Sequence, residues 1–104
     1  MFDKLLQVQQ KAAEVKSRLD KVSVTGEAEG GKIKVTSNGN KLITSIEIAP
    51  ELLSPDDKEE LEELLAVAIN KALEQAENAH QSEMQAMSQD MLGGLGGLGD
   101  LLKG

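Results

Sequence analysis

The sequence predicts an α+β subunit of element order α-β-β-β-α, a three-stranded antiparallel sheet with a long C-terminal helix, assembled into a homo-oligomer with projecting helical arms. Three observations predict it. A heptad of apolar residues opens the chain, three alternating segments separated by turn residues follow, and the span 54–91 carries helix signals without an interior Gly or Pro beyond Pro55. At about 1.5 Å per residue that last span makes a rod of roughly 57 Å, whereas a compact domain of this length has a radius of gyration of only about 13 Å. The rod must protrude, and its apolar face needs more cover than one subunit offers.

Met1, Leu5, Val8, Ala12, Val15, Leu19 and Val22 succeed one another in alternating steps of four and three, a seam that predicts an amphipathic helix over 1–21. Lys4, Gln7, Lys11, Glu14, Arg18 and Lys21 keep the same alternation one step round, so a mostly basic stripe flanks the seam. Such a stripe suits either plain solvation or contact with phosphates.

Strands are predicted over 22–28, 32–37 and 41–48. Val22 to Ala28 alternates apolar and polar residues, Glu29-Gly30-Gly31-Lys32 turns the chain, and Ile33 to Ser37 alternates again. Asn38-Gly39 is the pair that favours a tight type I′ hairpin, and the strand after it places Leu42, Thr44, Ile46 and Ile48 on one face. In such a meander the first or third strand exposes an edge, which invites pairing with a second copy. Pro50 stops the third strand, and Leu52 and Leu53 are expected to tuck under the next helix.

Ser54-Pro55-Asp56-Asp57 starts the long helix: Ser54 as cap, Pro55 in the first turn, two acids at the positive end of the dipole. Leu61, Leu64, Leu65, Ala68, Ile69, Ala72, Leu73 and Ala76 form its broad apolar face, and Ala79, Met84, Met87 and Met91 continue more thinly. Residues 1–91 form one domain. The glycine-dense stretch 92–104 is expected to be a flexible Gly/Leu tail.

A core drawn from 39% apolar residues with Phe2 as the single aromatic is thin and aliphatic, and association is the usual remedy. The absence of cysteine excludes disulfides, thiolate metal sites and thiol nucleophiles. The N-terminus lacks signal-peptide features and no apolar run approaches the ~20 residues of a membrane span, so a soluble intracellular protein is expected. The formal net charge is −7, with eight basic and five acidic residues in 1–41 (+3) and three basic and thirteen acidic in 42–104 (−10). The acidic half reads either as a plainly solvated helix or as one pole of a polarised molecule, in which a polyanion would dock on the first helix and avoid the acidic start of the second.

Gly94-x-Gly96-x-x-Gly99 matches a dinucleotide fingerprint only formally, since no strand precedes it. His80, with Glu77 and Glu83 three residues to either side, is too sparse for a metal site, and one histidine without cysteine supports no nucleophile triad. No cofactor, no small-molecule substrate and no enzymatic activity are expected. The lone Phe2 excludes an aromatic stacking platform for nucleic acid, which leaves phosphate contact by Lys4, Lys11, Arg18 and Lys21 on one helix, doubled by a twofold axis.

Gly30-Gly31-Lys32-Ile33-Lys34-Val35-Thr36, Asn38-Gly39, Ile46-Glu47-Ile48-Ala49-Pro50-Glu51-Leu52-Leu53, the acidic helix running into Ala68-Ile69-Asn70-Lys71-Ala72-Leu73, and the Met/Gly/Leu tail together resemble the YbaB/EbfC nucleoid-associated proteins. The resemblance spans nearly the whole chain and implies an intertwined homodimer whose helices project as tweezer-like arms around double-stranded DNA in the cytoplasmic nucleoid. Carried onto this sequence, the DNA-binding candidates are Lys4, Lys11, Arg18 and Lys21, with Lys16 secondary. The rival reading is a protein-interaction or holdase-like module using the methionine-bearing arms.

Overall fold

The computed structural model describes residues 2–94, with side chains described for residues 5–89. Helix α1 covers Phe2–Lys21, strand β1 Ser23–Ala28, β2 Ile33–Asn38 and β3 Ile43–Ile48, and helix α2 Lys58–Gly94. The strands form one antiparallel sheet in the order β1-β2-β3, so β1 and β3 are its edges. The α-β-β-β-α order predicted from the sequence is therefore the observed one.

Register places one face of the sheet against α2. Val24 pairs with Ser37, Gly26 with Val35 and Ala28 with Ile33, while Val35 pairs with Ile46 and Ile33 with Ile48. Ile33 and Val35 are fully buried, packed with Ala28 against Ala68 and Ala72 of α2; Leu61, Leu64, Leu65 and Ile69 close the sides. Thr25, Glu27, Ser45 and Glu47 on the opposite face are exposed, the one-sided amphipathicity of a sheet with a single covered face.

The approach of α2 is set by small residues. Ala68, Ala72 and Ala76, one turn apart, present a flat strip, and Gly26 lets β1 meet it: a Cβ on Gly26 would lie 2.2 Å from the Ala68 carbonyl oxygen and 2.3 Å from the Ala72 amide nitrogen. The contact is backbone against backbone.

Three local expectations change. Asn38-Gly39 does not form a two-residue type I′ turn: the Lys41 amide donates to the Asn38 carbonyl at 3.2 Å, the Asn38 amide donates to the Leu42 carbonyl at 2.9 Å, and the left-handed residue is Lys41, with φ 66°. The three-residue loop wins because Asn38 braces it from within while Gly39 is tied to α1. The Asn38 side-chain oxygen accepts from the Asn40 and Leu42 amides at 2.8 and 3.1 Å, and the Gly39 amide donates to the Leu19 carbonyl at 2.8 Å, closing the end of α1. Second, pairing shifts between Thr36↔Ser45 and Ser37↔Ile43, leaving Thr44 as the extra residue of a bulge. The inward set of β3 is therefore Ile43, Ile46 and Ile48, and Leu42 and Thr44 are exposed. Third, only Leu52 joins the core margin. A 3-10 turn at Pro50–Leu52 rotates the next residue away, and Leu53 stays exposed.

Ser54 caps as expected, its hydroxyl accepting from the Asp56 amide at 3.4 Å, but the first turn it caps, Pro55–Asp57, is 3-10 and leads into α2. The helix continues through Gly93 to Gly94; the rest of the expected tail, 95–104, lies outside the described residues. At 37 residues α2 is roughly 55 Å long. The molecule measures 69 × 27 × 16 Å with a radius of gyration of 20.1 Å, so the long helix does protrude. No helix among the described residues is long and apolar enough to cross a membrane.

Candidate nucleic-acid interface

The protruding part is a two-helix arm. α1 meets α2 from Lys11 to Arg18, where it lines a groove with Glu83, Ala86 and Met87 of α2, and Val15 and the adjoining Leu19 are buried. The anchorage lies at the end of α1 nearest the sheet. There the Asn40 side-chain amide donates to the Lys16 carbonyl at 3.0 Å and to the Asp20 carboxylate at 2.6 Å, beside the Gly39–Leu19 bond. A Cβ on Gly39 would meet Leu19 Cδ2 at 2.6 Å, so glycine is required for loop and helix to come this close. Farther out, Leu5 and Val8 of the heptad seam are exposed, and so is Leu6 beside it. The seam is thus covered along only half its length.

The structure divides the candidate cations between surfaces. Lys11 and Arg18, two helical turns apart and therefore aligned on α1, face α2 across a groove of about 470 Å³ whose other walls are Glu14, Val15, Glu83, Ala86 and Met87. Arg18 is engaged there: its Nε donates to Glu83 Oε2 at 3.1 Å, and its Nη2 lies 3.1 Å from the same oxygen. Lys11 is half-buried, Lys21 stands exposed at the end of α1, and Lys16 is exposed on another side of the helix, five residues from Lys11 and so about 140° around the axis. Lys4 lies in the first turn of α1, and its side chain is outside the described residues.

Three basic side chains elsewhere are paired within the fold. Lys32 pairs with Glu51 at 3.5 Å and Lys58 with Glu62 at 3.8 Å, while Lys41 forms an ion pair with Glu77 that ties the β2-β3 loop to α2. The Lys41 ammonium beside it holds the Glu77 carboxyl below its ordinary range, helped by the Gln81 side-chain amide donating at 3.2 Å and by the nearby His80; partial burial works the other way. The acids of the first turns of α2, Asp56 to Glu63, sit at the sheet end of the molecule. Lys58 and Glu83 are separated by roughly 38 Å of helix, so the arm is remote from the densest negative charge. Among the described residues no cluster of three or more His, Asp or Glu side chains has metal-site geometry.

Sequence reasoning missed Glu83 as a partner of the site. It read as one more acid on a solvated helix, and its contact with Arg18 joins residues 65 positions apart.

Comparison with known proteins agrees with this architecture. A model of the YbaB/EbfC DNA-binding family matches residues 1–91. The chain is 35% identical over 103 residues to a nucleoid-associated protein of Flavobacterium johnsoniae, covering 99% of this chain and 95% of that one. It is 41% identical over 92 residues to a nucleoid-associated protein of Chloroflexus aurantiacus, covering 88% of each. The crystal structure of an uncharacterized protein from Helicobacter pylori superposes with a TM-score of 0.67 at 22% identity, over 80% of this chain and 96% of that one, and shares the fold.

Proposed function

The chain belongs to the YbaB/EbfC DNA-binding family, and on that premise we propose that it grips duplex DNA as a homodimer, mainly through backbone phosphates met by α1. It is a nucleoid-associated DNA-binding protein and not an enzyme. The observation that carries the finer reading is the arm itself. α1 lies along the distal half of α2, away from the acidic first turns, with Lys11 and Arg18 in line and Lys16 and Lys21 on the same helix. Contacts of this kind fix the position of a protein on DNA without reading bases, so the grip follows duplex shape more than sequence. Its work is nucleoid organisation, with effects on gene expression, in the cytoplasm.

Dimerisation is supported by what a single subunit leaves uncovered. Ile46 is about half exposed although its register position belongs to the apolar face, and Leu42, Leu53 and Val67 are exposed as well. β3 is also an edge strand of the sheet. Burying such side chains against a twin stabilises each by about 1.5–3 kcal/mol.

The experiment is a titration of a labelled duplex with wild type and with Lys11→Glu/Arg18→Glu. Wild-type binding should weaken by orders of magnitude between about 50 and 200 mM salt. The double reversal should abolish low-salt binding while light scattering still reports a dimer; unchanged binding would remove α1 from the interface. The exposed Leu5, Leu6 and Met84 favour a second reading, an arm that holds apolar protein segments, and it predicts binding that salt hardly changes.

A further inference from the structure

We propose that Glu83 is a built-in competitor for the DNA phosphate, occupying Arg18 in the free protein and so setting the affinity of the arm for duplex. The inference rests on the reading that Arg18 contacts phosphate. A guanidinium offers the same fork of N–H donors to a carboxylate as to a phosphate. In the free protein two of those donors, on Nε and Nη2, converge on Glu83 Oε2 at 3.1 Å each.

Arg18 carries the only guanidinium of the chain. Its side chain is 56% exposed and that of Glu83 28%, so solvent and ligand reach the pair. The carboxylate also comes from the opposite helix, α2, and not from a neighbour on α1. Its removal therefore leaves the local helical surroundings of Arg18 intact. With Glu14 on the same groove, two acids face Lys11 and Arg18, and the groove is close to neutral until an external anion displaces Glu83. Exposed ion pairs are weak, so this competition lowers DNA affinity by about two- to fivefold per subunit, and by the square of that when both arms of a dimer engage.

Removing any acid favours polyanion binding, so the test must separate contact from charge. Fluorescence anisotropy of a labelled duplex at one low salt concentration should be measured for wild type, Glu83→Gln, Glu83→Asp, Glu74→Gln and Arg18→Gln, and for the Glu83→Gln/Arg18→Gln pair. Glu74 has the same charge nine residues earlier, on the opposite side of α2. Circular dichroism and light scattering verify helix content and assembly for each.

Glu83→Gln should bind at least twofold more tightly than Glu74→Gln. Glu83→Asp, which keeps the charge but withdraws it by a methylene, should retain much of the gain. In the Arg18→Gln background the gain should shrink to that of Glu74→Gln. A Glu83→Gln no tighter than Glu74→Gln, or an excess over Glu74→Gln that persists without Arg18, overturns the competitor role while leaving phosphate binding in place. Failure of the wild type itself to bind duplex overturns both.

Discussion

Gly26 is the position at which one added methyl group would do the most damage. Its Cβ would fall within 2.3 Å of two backbone atoms of α2, and backbone yields less readily than a side-chain tip. Gly26→Ala should therefore cost about 1–3 kcal/mol, lowering the melting temperature by about 4–8 °C for each kcal/mol, measured by thermal circular dichroism. A wild-type melting curve from this variant would mean that α2 is not seated on β1. Glu77 bears on pH. Its carboxyl is held below the ordinary value of 4.5, mainly by the Lys41 ammonium, so the folded protein takes up that proton less readily than the unfolded chain. The resulting stabilisation is complete above 4.5 and disappears as the pH falls through the lower folded value. The stability difference between wild type and Glu77→Gln should be seen at pH 7 and shrink as melts are taken at successively lower pH beneath 4.5; a constant difference would exclude the pair as its source. The cations of α1 were legible from spacing alone, but their partners were not. Local sequence shows the stripe, and only the return of α2 alongside α1 brings Glu83 to Arg18.

Each element was legible as a type, while its fine placement depended on neighbours. Alternation gives β3, yet the bulge at Thr44 puts Ile43 inward in place of Leu42, because a one-residue slip moves the side chains on one side of it to the other face. Asn38-Gly39 fits a tight turn by local preference, but the Asn38 side chain braces a longer loop from within and Gly39 is tied to the end of α1, and together these contacts override the preference. Ile46 is the inward residue of β3 that stays about half exposed. Ile46→Asp should therefore convert the proposed dimer to monomer in light scattering at micromolar concentration, with helix content kept. A dimer unaffected by this change would place the twin elsewhere. The heptad of α1 was legible throughout its length, but a periodic pattern shows that a seam wants cover and not how much it receives.

Length was the most reliable guide to the whole molecule. A helix of 37 residues in a chain of 104 cannot be enclosed, and the 69 Å extent follows from that. The charge asymmetry between the two halves of the sequence becomes a spatial one: acids crowd the sheet end and α1 lies along the arm. The buried Val15 and Leu19, the Asn40 side chain on Lys16 and Asp20, and the Gly39–Leu19 bond all fasten the second half of α1. Deuterium uptake should consequently be graded along a single continuous helix, slowest at the amides near Leu19 and quickening toward Phe2, as in a branch held at its fork. Duplex binding should flatten that gradient by lending the outer turns an external support.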